Sequence, residues 1–169
     1  MHYRKFGNTD WQVSEIGLGT WQLGADWGNV DDATSEKVLA AAVDSGVNFF
    51  DTADCYGVGL SEKRLGNFFK NSSEKIYIAT KLGRFPTPGG LENFSIQQFR
   101  HHTEESLKRL RVNSLDLTQV HCPPTEIIKQ GEVFDWLRIL KKEGKIKEFG
   151  FSVESVSYTH LTLPTNREV

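Results

Sequence analysis

The chain lacks most of what marks a secreted, membrane-bound or nucleic-acid-binding protein. Cysteine occurs only at Cys55 and Cys122, which leaves no disulfide framework and fits a reducing cytoplasm. No apolar run approaches the ~18 residues needed to cross a bilayer, and residues 47–50 are interrupted by Asn48. The basic opening Met1-His2-Tyr3-Arg4-Lys5 leads into no apolar stretch, so no secretory leader is expected. Charge of one sign is missing too. Twenty Lys and Arg against 22 Asp and Glu give a net charge of −2, and that balance demands neither a nucleic acid nor an anionic membrane as partner. What remains is 169 residues, 38% hydrophobic and 25% charged, enough for one globular domain.

Periodicity supplies the architecture. A Gly7-Asn8-Thr9 turn predicts a small hairpin over residues 1–13, and residues 15–18 read as a first strand. Asp31 or Asp32 caps a helix carrying Leu39, Ala42 and Val43 at helical spacing, with Gly46 in the left-handed position after its last turn. Residues 47–51 follow as a buried strand. The unit then repeats, with a helix over 61–70 and a strand over 75–81. Ser95 and Gln98 form a capping box for a helix with Phe99, Leu107 and Leu110 on one side. His101 and His102 are read as surface residues of that helix. A strand over 115–121 comes next, then a helix with Val133, Phe134, Leu137 and Leu140, closed by Lys141-Lys142 and Gly144. A strand over 146–151 ends the series.

Five βα-type units at intervals of roughly 30–40 residues predict a parallel α/β sheet. A doubly wound sheet and a TIM barrel both give that string. The barrel takes ~250 residues and eight strands, so on that reading residues 1–155 are the N-terminal part of an incomplete (β/α)8 barrel. Residues 156–169 carry no helical stripe, are rich in threonine and contain Pro164. They are expected to be a non-native or disordered tail.

Asp51, Lys81, His121 and Ser152 fall at, or one residue beyond, the C-terminal ends of predicted strands, the edge where α/β folds build their sites. Singly, each residue has an ordinary reading. Asp51 caps the next loop, Lys81 is a solvated strand end, Tyr56 is a loop aromatic and His121 is a satisfied interior histidine. An acid, a base, an imidazole and a hydroxyl on consecutive units instead suggest convergence on one pocket.

The segment Asp51-Thr52-Ala53-Asp54-Cys55-Tyr56-Gly57 resembles the Asp-Thr-Ala-x-x-Tyr-Gly segment of aldo-keto reductases. Ala79-Thr80-Lys81 and Gln119-Val120-His121 resemble that family's lysine and histidine strands. Phe6-Gly7-Asn8-Thr9, Ile16-Gly17-Leu18-Gly19-Thr20-Trp21 and Gly46-Val47-Asn48-Phe49-Phe50-Asp51 add matches in family order, over residues 3–154. The resemblance implies an enzyme reducing small-molecule aldehydes or ketones with NADP, or NAD, as cofactor and no metal. Asp51, Tyr56, Lys81 and His121 would be its catalytic residues, with Tyr56 as general acid. Lys81 is expected to draw the Tyr56 pKa down toward neutrality, with Asp51 holding Lys81, while His121 hydrogen-bonds the substrate oxygen. Gly19, Thr20, Trp21, Asp51 and Ser152 would meet the cofactor. After Ser152 the family's usual residue is Asn, where this chain has Val153.

Other readings stay open. Gly17-Leu18-Gly19 begins like a dinucleotide fingerprint, but Gln22 stands where the third glycine belongs. The two glycines are read as strand-end and turn residues. Trp21 and Trp27 are either a substrate wall or core or rim aromatics, and Cys55 and Cys122 are plain free thiols. A non-catalytic regulatory subunit on the same barrel is the alternative function. A metal-dependent hydrolase would want histidines on the first strand, and Ile16-Gly17-Leu18-Gly19 has none. Five strands alone leave unpaired edges, so the chain by itself is expected to be inactive. The sequence leaves substrate and oligomeric state open.

Overall fold

A computed structural model describes residues 1–85 and 90–154. The proposed tail at 156–169 lies outside the described residues. At the start, the Thr9 hydroxyl donates to Phe6 O and accepts from Trp11 N at 3.2 Å, which turns the chain back on itself. Strand β1 (Tyr3–Lys5) therefore pairs antiparallel with β2 (Gln12–Ser14), the expected hairpin.

Strand β3 is only Leu18–Gly19, shorter and later than residues 15–18 suggested. Ser14 Oγ donates to Ile16 O at 2.7 Å, so those residues are spent on the turn out of the hairpin. Helix α1 (Asp32–Asp44) starts at Asp31, whose carboxylate accepts from Thr34 N at 2.7 Å. Gly46, at φ +85°, turns the chain into β4 (Phe49–Asp51). Helix α2 (Leu60–Phe69), strand β5 (Tyr77–Leu82) and helix α3 (Ile96–Leu110) follow, α3 capped by Ser95 on Gln98 N at 3.2 Å. After β6 (Leu115–His121), one helix was expected and two are found. Gly131, at φ +85°, separates α4 (Thr125–Gln130) from α5 (Glu132–Lys142). Strand β7 is Ile146–Ser152.

Among the described residues, the sheet is parallel and ordered β3-β4-β5-β6-β7. That order decides between the two architectures. A doubly wound sheet reverses direction after its first strands, whereas each strand of a βα barrel is added beside its predecessor. These are consecutive strands of a (β/α)8 barrel.

Residue parity positions the site. Phe50, Ile78, Leu82 and Val120 belong to the cluster that packs Leu39, Leu65, Phe99 and Leu137 from the helices. Their neighbours Ala79 and Leu117 face the other way, onto Tyr77 and Trp11 inside the sheet's curve. Asp51, Lys81 and His121 share that inward parity. Asp51 pairs with Ala79, Lys81 with Gln119, and His121 with Ser152. Each strand thus carries its polar residue two positions further than the one before, so the three side chains climb one wall. Among the described residues, no helix is long and apolar enough to cross a membrane.

Candidate active site

The loop after β4 is tied down before it delivers a side chain. Thr52 N donates to Ala79 O at 2.8 Å, and Asp54 N donates to Lys81 O at 3.1 Å. The Ser61 hydroxyl sits 2.8 Å from Thr20 O and 3.0 Å from Thr52 Oγ1. At Gly57, φ is +58°, and an added Cβ would fall 2.1 Å from Gly24 O. Only glycine permits that approach of two backbones. Tyr56 is presented from this braced turn.

Lys81 is 5% exposed and donates three ways: to Asp51 Oδ1 at 2.5 Å, Thr52 O at 2.9 Å and Tyr56 Oη at 3.3 Å. A buried ammonium needs such partners to offset lost hydration. The Tyr56 ring meets the His121 ring edge-on, with centroids 6.1 Å apart. The four residues expected to form the tetrad therefore lie together.

Their electrostatics differ in one respect from expectation. Lys81 does pull the Tyr56 pKa down, but burial pushes harder, and the net shift is upward. The phenol keeps its proton at neutral pH. Burial first, then the charges of Lys81 and Arg84, pushes His121 down to about 4, so its imidazole is neutral. Cys55 Sγ lies 3.7 Å from His121 Nδ1. Burial and the nearby Asp54 charge push that thiol up to about 12, so it stays protonated and unreactive.

These groups face a cleft of about 350 Å³ lined by Trp21, Asp26, Cys55, Tyr56, Arg84, His121 and Glu154. The Trp21 ring stacks on Tyr56 at 5.5 Å and leans on Trp27 at 4.6 Å. Gly19 stands beside Asp51 in the sheet with open space where a side chain would project. Ser152 is half-buried opposite His121 at the rim. Thr20 is fully buried, and its hydroxyl is committed to Asp51 O at 2.9 Å and to Ser61. Among the described residues, no group of three His, Cys, Asp or Glu side chains is arranged to hold a metal ion.

The sequence profile described as the Aldo/keto reductase family matches residues 15–163. Aldo-keto reductase YhdN of Bacillus subtilis is 34% identical over 97% of this chain. The chain belongs to the aldo/keto reductase family. It spans 51% of that relative, about half the length of the curated proteins it matches. Among solved aldo-keto reductases, AKR11C1 from Bacillus halodurans in its holo form superposes with a TM-score of 0.81 at 28% identity, over 95% of this chain and 53% of that one. A Klebsiella pneumoniae aldo-keto reductase in complex with NADPH superposes with a TM-score of 0.72 at 25% identity, over 89% and 49%.

Three parts of the candidate site in this aldo/keto reductase were not foreseen from the sequence. Arg84, three residues past Lys81, pairs with Glu154 at 3.0 Å across the cleft mouth. Asp26 bridges two loops. Glu62, buried in α2, accepts from Thr80 Oγ1 at 2.5 Å and from Arg109 Nε at 2.7 Å, bracing the helices beneath the site. His102 corrects the sequence reading. His101 is exposed as expected, but His102 is 5% exposed, with Nδ1 3.3 Å from Asp54 Oδ2. The buried stripe of α3 is Phe99, His102, Thr103, Ser106 and Leu110. Its spacing is helical, but three of its members are polar, so an apolar stripe misses them.

Proposed function

We propose that this chain supplies the catalytic wall of an NAD(P)H-dependent oxidoreductase that reduces small-molecule aldehydes or ketones to alcohols. The observation that carries the reading is the run from Asp51 through Lys81 to the Tyr56 hydroxyl, facing a cleft that also holds a neutral imidazole.

Each residue has a physical role. Tyr56 holds its proton until charge develops on the carbonyl oxygen, then gives it up as the alcohol forms. Lys81, already within hydrogen-bond reach, stabilises the phenolate that remains, and Asp51 holds the ammonium in place. Neutral His121 donates a hydrogen bond to the same oxygen and aligns the carbonyl. A reduced nicotinamide, when bound, supplies the hydride. The rim fits such a flat ring. Gly19 leaves space beside Asp51, and Ser152 offers a hydroxyl on the facing strand. Trp21 would wall the substrate side, and Thr20 would brace the loop from beneath. NADP is the favoured cofactor, because the Klebsiella relative is described in complex with NADPH. With Cys55 and Cys122 as free thiols, a reducing cytoplasm is the expected setting.

The test is carbonyl-dependent oxidation of NADPH, followed by absorbance, in the intact protein carrying all eight barrel strands. Turnover with simple aldehydes is expected. Cofactor binding without turnover across a broad carbonyl panel would instead make the barrel a binding subunit. The 169-residue chain alone is expected to show no turnover.

A further inference from the structure

The loop of residues 20–31 carries Trp21 to the cleft, and its fixation is unusual for a segment on the surface. Its far end is held by Arg64, which donates to Leu23 O at 2.6 Å and Val30 O at 2.7 Å and pairs with Asp32 at 2.8 Å. Its near end touches the catalytic turn through the contact of Gly24 with Gly57. Between those anchors stands one exposed carboxylate. Asp26 Oδ2 accepts from Trp21 Nε1 at 3.0 Å and from Gly57 N at 3.0 Å. A single oxygen thus joins the indole that stacks on Tyr56 to the amide next in chain to Tyr56.

We propose that Asp26 is a positioning residue that sets the aperture of the cleft, by locking the Trp21 indole in register over Tyr56. This rests on the reductase reading of the site. Geometry argues for it over a general loop-stabilising role. The loop is already secured by Arg64 and by the glycine contact, so its fold does not need Asp26. The indole is different. It is an exposed ring whose fixed contacts are Asp26 and the faces of Tyr56 and Trp27. An indole has one donor, and a charged acceptor for it gives a hydrogen bond stronger than a neutral pair. Without that acceptor, Trp21 keeps its ring contacts but loses the bond that fixes its rotation. The phenol and ammonium keep their own partners, so substrate seating should suffer before chemistry does.

The experiment uses the intact protein with NADPH and a small aromatic aldehyde, comparing wild type, Asp26→Ala and Asp26→Asn. Acrylamide quenching of tryptophan fluorescence is read in parallel on each protein and on its Trp21→Phe partner, so that the Trp21 contribution is isolated. Asp26→Ala is expected to raise KM about fivefold, as loss of the charge-assisted hydrogen bond to the indole at a wet site predicts. The change in kcat should stay below about twofold, because the turn that also loses the bond from Gly57 N stays braced through Thr52, Asp54 and Ser61. It should also make Trp21 more accessible to acrylamide. Asp26→Asn keeps an acceptor oxygen and should recover most of both effects. Unchanged quenching and KM in Asp26→Ala would overturn the proposal. So would a fall in kcat without a rise in KM, or an Asp26→Asn variant as impaired as Asp26→Ala. If the wild type turns over no carbonyl at all, the reductase reading fails, and quenching alone then decides whether Asp26 fixes the indole.

Discussion

Phe6, Trp11, Phe49 and Tyr77 close the N-terminal end of the sheet with stacked rings 5.0–5.8 Å apart, whereas its C-terminal end gathers an ammonium, a carboxylate, a phenol and an imidazole. The two ends occupy the same strands and the same inward parity, only a few residues apart. The lower end gains stability from apolar burial, with no ionised group among its cluster. The upper end places charge where burial disfavours it and balances each charge with a specific partner. It also carries backbone strain. Val58 and Cys122, each within two residues of a proposed catalytic side chain, adopt φ of +54° and +48°, a region costly for residues with a Cβ. On the reductase reading proposed above, the barrel uses one end for folding and the other for chemistry.

The largest separation of the two ends should come from Lys81→Met in the intact protein. Removing the ammonium deprives the Tyr56 phenolate of its stabilising charge, and turnover should fall about a thousandfold, in the range of general acid–base contributions. Steady-state kinetics with cofactor saturating provide the check. Trp11→Ala should do the reverse. Removing a buried indole from the lower stack should cost about 3 kcal/mol of unfolding free energy, read from urea melts, while turnover per folded molecule stays near wild type. If Trp11→Ala and Lys81→Met each damaged both properties equally, the division of labour would be wrong.

How much of this was legible beforehand follows the same division. The strands and helices could be read because apolar residues repeat with the period of the element that buries them, and the hairpin from its Gly7-Asn8-Thr9 turn. Lys81 and His121 stood out because they interrupt that pattern at its upper end. The two-residue climb from Asp51 to His121 depends on barrel stagger, which no single strand encodes. Asp26 and Arg84 sit in irregular segments without a period. His102 hid because polar residues can share a helix's buried stripe when a partner such as Asp54 waits there. The direction of the Tyr56 shift was missed because it is a contest between a charge, visible in the sequence, and burial, which is not.

The upper end should also be the acid-sensitive one. His121 titrates near 6.5 when unfolded and at about 4 in the folded chain. Between those values the unfolded state binds a proton that the native state refuses. Stability should therefore fall as pH drops from about 6.5 to about 4, by about 3 kcal/mol in all for so buried a group, and stay flat from this source above 6.5. Urea melts at successive pH values in that window should slope less for His121→Asn than for wild type. Equal slopes would mean that the imidazole is less desolvated than its surroundings indicate.

The smallest effect concerns the strain itself. Val58 is 74% exposed, so its side chain contributes little packing, yet it holds a β-branched residue at positive φ. Val58→Gly should remove that steric cost, while giving back part of the gain through the greater freedom of glycine in the unfolded chain. The two terms oppose, and the strain of a branched residue in this region is the larger. A net stabilisation of about 1 kcal/mol is expected in thermal or urea unfolding. The matching change within the aromatic stack of the lower end has no strain to release, because Phe6, Trp11, Phe49 and Tyr77 all lie at negative φ. A neutral or destabilising Val58→Gly would show that the turn carrying Tyr56 is relaxed, and that the site's charges, not its backbone, distinguish the two ends of the barrel.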